Sequence, residues 1–212
     1  MKLSEGIKLK GKGVAIPDCT RDDLPQFFIE MGYKVGAEIG VYKGEYTEIL
    51  LKAGLKIYGI DPWTAYVDYD DPDHNRFQER LDSLYEHTQR RLASYLQNGQ
   101  CTLVKKTSME AINDFEDESL DFVYIDGNHH FKYVTEDICE WVKKIKKGGI
   151  ISGHDYAPKG VSDHDSHVIH VKYVVDAYTK AYEIKNWYVL GREEKLEGEK
   201  RESFRSWMWV KP

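Results

Sequence analysis

The chain has 212 residues, of which 41% are hydrophobic and 31% are charged. This composition is ordinary for one globular α/β domain with a proper core, so residues 1–212 are interpreted as a single domain. The net charge of −6 provides no global basic field, and we therefore expect neither nucleic acid nor an anionic membrane as a partner.

The cysteines and the N-terminal segment indicate the cellular compartment of the protein. Cys19, Cys101 and Cys139 are odd in number and widely spaced, which predicts reduced thiols and argues against a disulfide framework or a zinc knuckle. Residues 1–17 are basic but hold no apolar stretch suited to a signal peptide, and no later apolar run approaches membrane-spanning length. The expected location is cytoplasmic.

Apolar periodicity and turn residues predict helices and strands in alternation. The first element is a short helix at 24–31, with Asp22 or Asp23 as its N-cap and Gly32 as its stop. The next elements are a strand at 35–39, a helix at 46–53, a strand at 55–60, a helix at 74–96 that carries Phe77 on its apolar face, a strand at 101–104, a helix at 109–113 and a strand at 120–125. The last of these strands is apolar on both faces, which is typical of a buried central strand.

The remainder of the chain departs from this rhythm. A helix is predicted at 134–145 and is closed by residues 146–149, after which a fifth strand begins at Ile150. Strand-like runs at 187–190 and 204–210 flank a charged stretch and predict an antiparallel hairpin. We therefore expect an α/β fold with a doubly wound, mostly parallel sheet that ends in this hairpin.

Two polar loops interrupt the predicted elements. The segments 62–75 and 157–170 are acidic and contain histidines. Both should lie near the carboxyl ends of the strands, where ligands bind in open α/β sheets. We interpret them as substrate-side loops. The acidic run 69–73 either disfavours anionic acceptors or is simply a solvated loop.

A glycine turn between two acid-ended strands is the most informative feature. The run Glu38-Ile-Gly-Val-Tyr-Lys-Gly44 closes one strand, and Asp61 closes the next. In a parallel sheet this arrangement builds a nucleoside-sized pocket, in which Asp61 suits the ribose hydroxyls. A dinucleotide fingerprint offers bare amides to a pyrophosphate, whereas Glu38 would oppose phosphates by on the order of 4 kcal/mol per contact. The pattern favours a cationic, phosphate-free nucleoside such as S-adenosylmethionine.

Three segments carry a resemblance to a known family. Residues 36–44, 58–63 and 121–156 resemble class I S-adenosylmethionine-dependent methyltransferases, specifically the small single-domain members of the methyltransferase 24 group. The third segment is the most specific, because it combines Ile-Asp-Gly-Asn-His with Gly-Gly-Ile-Ile-Ser-Gly-His-Asp-Tyr. The resemblance spans about residues 30–180 and departs from the family pattern at Phe131, where tyrosine is usual. It implies a seven-stranded sheet whose last strand is reversed.

The resemblance also implies where the cofactor binds. Glu38 and the turn glycines would shape the site under the methionine moiety, Asp61 would hold the ribose, and Ser108 would approach the adenine. Tyr42 stands where many class I enzymes have a further glycine. Trp63 either stacks on the adenine at the pocket mouth or packs beneath the loop. The full predicted set for S-adenosylmethionine is Glu38, Gly40, Val41, Tyr42, Gly44, Asp61, Trp63, Thr107, Ser108 and Asp126.

A divalent metal is one option for activating the acceptor. Asp126 ends the fourth predicted strand, and His154 and Asp155 end the fifth, so that the three side chains should converge. By resemblance to sugar and macrolide O-methyltransferases, these three residues would be the metal ligands. Asn128 and His154 stand where those enzymes often have aspartates, which favours manganese, iron, zinc or no metal over magnesium.

The other option is metal-free general base catalysis, which the two replaced oxygen ligands favour. His154 or His129 would then take the acceptor's proton, with Asp155 orienting the imidazole. The predicted catalytic residues are accordingly His129, His154 and Asp155. An equally open interpretation is that the two histidines only hold loop backbone and cofactor.

The sequence therefore predicts methyl transfer from S-adenosylmethionine, with a small metabolite or a sugar-like compound accepting the methyl group on oxygen. One alternative is a degenerate fold that binds the cofactor as a sensor or scaffold without turnover. A nicotinamide oxidoreductase is disfavoured by Glu38 and by the missing glycines. Trp207 and Trp209 share one face of the last strand and are interpreted as core, or as a dimer contact if exposed, which leaves a homo-oligomer open.

Overall fold

A computed structural model describes residues 2–64, 77–157 and 169–212. Most of the predicted loops 62–75 and 157–170 lies outside the described residues. The helices in chain order are α1 Leu3–Gly6, α2 Leu24–Glu30, α3 Glu45–Lys52, α4 Gln78–Arg91, α5 Ala93–Gln97, α6 Ser108–Ala111, α7 Phe131–Lys144 and α8 Val171–Ala181. The strands are β1 Val14–Ile16, β2 Val35–Ile39, β3 Lys56–Ile60, β4 Cys101–Val104, β5 Leu120–Ile125, β6 Ile145–Tyr156, β7 Trp187–Leu190 and β8 Arg205–Val210.

The strands form one sheet in the order β1-β7-β8-β6-β5-β2-β3-β4. All neighbouring pairs are parallel except those of β8, which runs antiparallel to both β6 and β7. The predicted doubly wound α/β sheet with an antiparallel hairpin at its end is confirmed. The described sheet has eight strands instead of seven, because the three-residue strand β1 adds to the edge beside β7.

Several element boundaries differ from the prediction. The described part of the long helix predicted at 74–96 is two helices, which meet at the buried residue Leu92. Phe77, assigned to its apolar face, is 70% exposed. Helix α8 was missed, and β6 begins five residues before Ile150 because Ile145 already pairs with Leu120 of β5.

Two caps also differ from expectation. The cap before α2 belongs to a single turn of 3₁₀ helix at Arg21–Asp23, where Thr20 and Asp23 cap each other's backbone amides. The predicted stop at residues 146–149 also differs: α7 ends at Lys144, and Lys146 already lies in β6, where it pairs with Asp121 at 2.7 Å.

The core lies on both faces of the sheet and is rich in aromatic side chains. Trp141 of α7 packs on one face, and Trp207 and Trp209 of β8 stack on each other at 5.1 Å between ring centroids. Both β8 tryptophans are buried, as expected for core residues. Among the described residues, no helix combines the length and apolar character needed to cross a bilayer.

The topology brings the predicted site residues to one edge of the sheet. Strands β2, β3, β5 and β6 are parallel, so their carboxyl ends lie together. Asp126 follows β5, and its backbone N–H donates to the carbonyl of Ile39 at the end of β2. His154 and Asp155 lie near the end of β6.

Candidate active site

The turn after β2 is held in a left-handed backbone conformation. Gly40, Tyr42 and Gly44 have φ values of +89°, +51° and +72°. A Cβ atom added to Gly40 would be only 2.1 Å from the backbone oxygen of Asp126, which leaves no room for a side chain. Gly40 is therefore required both by its φ angle and by close contact with β5.

Asp61 fixes this turn from the neighbouring strand. Its Oδ2 accepts hydrogen bonds from the amides of Val41 at 3.1 Å and Tyr42 at 2.9 Å, and its Oδ1 accepts one from the amide of Trp63 at 2.9 Å. Burial raises the pKa of Asp61, and the three amide donors oppose that rise. Each carboxylate oxygen accepts more than one hydrogen bond, so the carboxylate retains acceptor capacity for ribose hydroxyls.

Glu38 lies beneath the turn and is only 2% exposed. The hydroxyl of Thr47 donates a hydrogen bond to its Oε2 at 2.6 Å. Burial raises the pKa of Glu38 to about 8, and the Thr47 hydrogen bond partly opposes this. A buried carboxyl with a raised pKa is well placed to gain charge when a cation approaches.

A cavity of about 640 Å³ opens beside these residues, a volume suited to a small-molecule ligand. Its wall includes most of the predicted cofactor and catalytic residues, namely Glu38, Gly40, Val41, Tyr42, Asp61, Trp63, Thr107, Ser108, Asp126 and His129. Gly44 is outside the wall and instead packs against α4, where an added Cβ would be 3.0 Å from Thr88. His154 and Asp155 lie behind the wall.

Trp63 is buried and holds the turn by a hydrogen bond. Its indole N–H donates to the backbone oxygen of Tyr42 at 3.0 Å, and its ring lies 4.8 Å from that of Tyr85. This is the packing role that the sequence left open. The cavity wall still includes this residue, so stacking on a ligand stays a prediction.

An acid–histidine cluster extends from the wall inward: Arg21, Asp126 and His129 line the cavity, and His154, Asp155 and Glu202 lie behind them. Nε2 of His129 is 2.8 Å from Oδ2 of Asp155, and Nδ1 of His154 is 3.4 Å from the same oxygen. Asp126 lies within 3.9 Å of both imidazoles through its Oδ1. The structure thus brings together Asp126, His154 and Asp155, as the sequence predicted, and His129 joins these three side chains.

Arg21 and Glu202 complete the cluster and were missed at the sequence level. The guanidinium of Arg21 donates to Asp126 at 3.2 Å and lies 3.2 Å from Glu202, whose other oxygen accepts the Arg21 amide. Nε2 of His154 lies 3.6 Å from Glu202. No local pattern signals these contacts, because Arg21 is 105 residues from Asp126 in the sequence.

The cluster shifts the pKa values of His129, His154 and Asp155. Burial lowers the pKa of both imidazoles, but nearby carboxylates outweigh it and raise the pKa of His129 and of His154 to about 10. Burial would raise the pKa of Asp155, yet the two imidazoles hold it well below its usual value. At neutral pH, one guanidinium and two imidazolium groups therefore balance three carboxylates.

The same side chains fit a divalent cation. One ligand atom each from Asp126, His154 and Asp155 can be chosen so that all three lie within 4.8 Å of one another. Nε2 of His129 and Nε2 of His154 are buried without a well-aligned hydrogen bond. Two carboxylates and one imidazole form a mixed donor set that suits manganese, iron or zinc better than magnesium.

A protein-family comparison decides the family. A model of the methyltransferase 24 family, described as a methyltransferase domain, matches residues 37–156, more than half of the chain. The chain belongs to this methyltransferase family. The resemblance to class I S-adenosylmethionine-dependent methyltransferases is thus confirmed, and the matched segment includes the turn, Asp61 and the two cluster histidines.

Solved structures of methyltransferases share the fold. An O-methyltransferase from Bacillus cereus in complex with SAH has a TM-score of 0.61 at 12% identity, with 90% of this chain and 80% of that chain covered. TomG, an O-methyltransferase from Streptomyces achromogenes in complex with SAM, has a TM-score of 0.60 at 15% identity, covering 91% and 79%. NodS, an N-methyltransferase from Bradyrhizobium japonicum, has 0.57 at 14%, covering 91% and 94%. The fold alone therefore leaves the acceptor atom open.

One curated sequence adds a short match. A 53-residue segment is 36% identical to the uncharacterized protein y4gI of Sinorhizobium fredii, which corresponds to 25% of this chain and 6% of that protein. The methyltransferase chain thus matches only a small part of that relative.

The hydrogen bonds of Asp61 predict a measurable loss of cofactor affinity when this residue is replaced. We expect Asp61→Ala to weaken S-adenosylhomocysteine binding by about 1 to 3 kcal/mol, because it removes both a ribose acceptor and the anchor of the Val41 and Tyr42 amides. Titration calorimetry measures the affinity. Asp82→Ala, which removes an exposed acid on α4, is the control. An unchanged affinity in Asp61→Ala would show that the cofactor does not use this strand end.

Proposed function

We propose that this methyltransferase transfers the methyl group of S-adenosylmethionine to an oxygen atom of a small-molecule acceptor, such as a hydroxyl of a sugar-like metabolite. One observation carries the proposal. Asp126 and His129, which belong to the acid–histidine cluster, lie on the same cavity wall as Glu38 and Asp61. This arrangement supports a cofactor site and a group of proton-handling side chains within one cavity.

Charge and size support S-adenosylmethionine as the cofactor. Glu38 suits the ammonium or sulfonium of the ligand, and Asp61 suits its ribose. The Val41 and Tyr42 amides that a pyrophosphate would need already donate to Asp61. The predicted cofactor residues lie at the ends of β2, β3 and β4, and each strand end would then contact a different part of the ligand. Gly44 would act indirectly by shaping the turn.

The cavity charge supports a neutral or cationic acceptor. Acidic side chains on the wall outnumber lysine and arginine side chains, and the balance disfavours phosphorylated compounds. The acids are Glu45, Asp61, Asp126 and Glu136, together with Glu38 and Asp137, whose pKa values burial raises to about 8 and about 7; the cations are Arg21, Lys43 and protonated His129.

Methyl transfer needs little covalent help from the protein. The reaction is an in-line displacement at the methyl carbon, so holding acceptor and methyl at attack distance supplies much of the rate. A hydroxyl acceptor must also lose its proton. His129 is the imidazole on the wall, and Asp155 behind it fixes the ring at 2.8 Å.

The pKa values bear on how that proton leaves. With its pKa raised to about 10, His129 holds a proton at neutral pH and is then a poor base. We therefore propose that Asp126, His154 and Asp155 hold a divalent cation in the working enzyme, and that this cation would displace the proton that His154, with its pKa raised to about 10, otherwise carries. When bound, the cation lowers the pKa of a coordinated hydroxyl. The metal-free route through His129 is the second candidate, and its support is the position of this imidazole on the wall.

Cofactor binding gives the first test. S-adenosylhomocysteine at 100-fold excess over its dissociation constant should stabilise the fold by about 2.7 kcal/mol, because it binds only the folded state. A thermal-shift assay measures this, with NAD as the matched control because its pyrophosphate should be rejected. No shift with millimolar S-adenosylhomocysteine or S-adenosylmethionine would overturn the proposed function.

Chelation separates the two routes of proton removal. Treatment with a chelator should abolish release of S-adenosylhomocysteine across a panel of hydroxyl acceptors, and manganese, zinc or magnesium should restore it. Cofactor affinity measured in parallel should stay within a few-fold, since His154 and Asp155 lie behind the wall. If chelation leaves turnover intact and the rate rises with pH toward the raised pKa of His129, the imidazole is the base.

A further inference from the structure

Glu202 connects two distant parts of the chain within the acid–histidine cluster. It lies in the stretch between β7 and β8. Its Oε2 accepts a hydrogen bond from the backbone amide of Arg21 at 3.0 Å, and its Oε1 is 3.2 Å from Nε of the same arginine. Oε1 is also 3.6 Å from Nε2 of His154. One carboxylate therefore pairs with a guanidinium from the N-terminal part of the chain and with an imidazole from β6.

The partners of Glu202 turn the cation ligands toward one another. Nη1 of Arg21 donates to Oδ2 of Asp126 at 3.2 Å. The other oxygen of Asp126, Oδ1, lies 3.7 Å from Nδ1 of His154, and this Nδ1 lies 3.4 Å from Oδ2 of Asp155. The atoms that face away from this group, Oδ2 of Asp126 and Nε2 of His154, are the ones that Arg21 and Glu202 contact.

The ion pair between Arg21 and Glu202 is itself held in place. The hydroxyl of Tyr46 donates to the backbone oxygen of Arg21 at 3.0 Å, and the guanidinium lies 5.2 Å from the centre of the Tyr46 ring. The amide of Lys200 donates to Asp18 at 2.9 Å, which ties the residues before Glu202 to the residues before Arg21. A pair fixed in this way can fix the side chains that it contacts.

Glu202 also offsets a charge beside the cluster. A lone guanidinium next to Asp126 would repel a divalent cation, since the two like charges would lie only a few ångströms apart. The carboxylate of Glu202, 3.2 Å from the same guanidinium, offsets that positive charge. Arg21 can therefore hold Asp126 without making the site unfavourable for a cation.

We propose that Glu202 is a positioning residue for a divalent cation, acting directly on His154 and, by way of Arg21, on Asp126. This inference rests on the cation in the proposed function. A carboxylate that faces the second nitrogen of a metal-binding imidazole sets the orientation of the ring. Glu202 has this place relative to His154, whose Nδ1 faces the two aspartates.

Calorimetric titration with Mn²⁺ tests the inference. Glu202→Ala should lower Mn²⁺ affinity by about 10- to 100-fold relative to the wild type. Glu202→Gln should lose less affinity, because its amide oxygen can still accept a hydrogen bond from Nε2 of His154. Both variants should bind S-adenosylhomocysteine within a few-fold of the wild type, since Glu202 lies behind the cavity wall.

A spectroscopic measurement separates positioning from a general loss of stability. Co²⁺ takes the place of Mn²⁺ here, because its visible absorption depends on the geometry of its ligands. At saturating Co²⁺, Glu202→Ala should change the position or intensity of the absorption band. A residue that only stabilised the fold would leave this spectrum unchanged.

Glu199→Ala is the matched control. Glu199 lies in the same stretch, pairs with Arg192 at 2.8 Å, and has a side chain that is 17% exposed, compared with 21% for Glu202. This control should keep both the Mn²⁺ affinity and the Co²⁺ spectrum of the wild type.

The contrary results are distinct. Unchanged Mn²⁺ affinity or an unchanged Co²⁺ spectrum in a folded Glu202→Ala protein would overturn the inference. If this variant does not fold, Glu202→Gln decides, and wild-type Mn²⁺ affinity in that variant would overturn the inference. If the wild type binds neither ion, the cation of the proposed function fails and this inference with it, whereas S-adenosylhomocysteine binding to the same protein tests the cofactor separately.

Discussion

Asp155→Asn should reduce turnover by about 100-fold or more while leaving S-adenosylmethionine affinity within a few-fold. Asp155 is 6% exposed, contacts His129 at 2.8 Å and His154 at 3.4 Å, and lies behind the cavity wall. Its loss removes the charge that orients both imidazoles, and one ligand if a metal is bound. Asparagine is the substitution of choice, because φ at this residue is +58° and asparagine tolerates that region.

The control for this variant is Asp176→Asn. Asp176 accepts a hydrogen bond from Tyr156, the residue after Asp155, at 2.7 Å but lies outside the cavity wall. The Asp176→Asn variant should leave turnover unchanged. Single-turnover rates with an identified acceptor, together with calorimetric cofactor affinity, separate chemistry from binding. Full turnover by Asp155→Asn would show that the residue is structural, and the catalytic assignment of this aspartate would be withdrawn.

Gly40→Ala should lower the free energy of unfolding by about 3 kcal/mol or more and abolish cofactor binding. The methyl group would be placed 2.1 Å from the backbone oxygen of Asp126, so β2 and β5 must separate at the cavity. Overpacking costs about 1 to 3 kcal/mol, and the left-handed backbone at φ +89° adds about 1 to 2 kcal/mol for alanine.

Gly54→Ala provides a matched comparison for Gly40→Ala. Gly54 has a similar φ of +96°, but nothing lies within 4 Å of an added Cβ. This control should therefore lose only the backbone contribution, about 1 to 2 kcal/mol, and keep cofactor binding. Urea unfolding and calorimetry measure the two effects. Equal losses in the two variants would contradict the role assigned to the contact between Gly40 and Asp126.

The sequence alone predicts the alternating sheet, and most of the site residues that it predicts lie on the cavity wall. Strands β2, β3 and β5 are short apolar runs bounded by glycines and acids, and such patterns are local. Because parallel strands end at one edge of a sheet, Asp61 and Asp126 could be placed near each other without coordinates. The convergence of Asp126 with His154 and Asp155 follows from the same rule.

Other parts of the fold have no comparable local signal. Strand β1 has three residues and exists through pairing with Tyr188 and its neighbours, far along the chain. The break between α4 and α5 at Leu92 depends on burial against other elements. The early start of β6 depends on the pairing of Ile145 with β5. Long-range pairing decides each of these boundaries, and apolar periodicity does not encode it.

The difference between what the sequence predicts and what only the tertiary structure decides is greatest at the site itself. Residue type and strand order determined that an acid-rich turn, a ribose-binding aspartate and a group of histidines and aspartates share one edge of the sheet. Only the tertiary structure decided that Arg21 and Glu202 join that group and that His129 lies on the cavity wall. The physical reason is that hydrogen bonds and ion pairs depend on distances of a few ångströms between residues remote in sequence. Patterns of neighbouring residues carry no record of those distances.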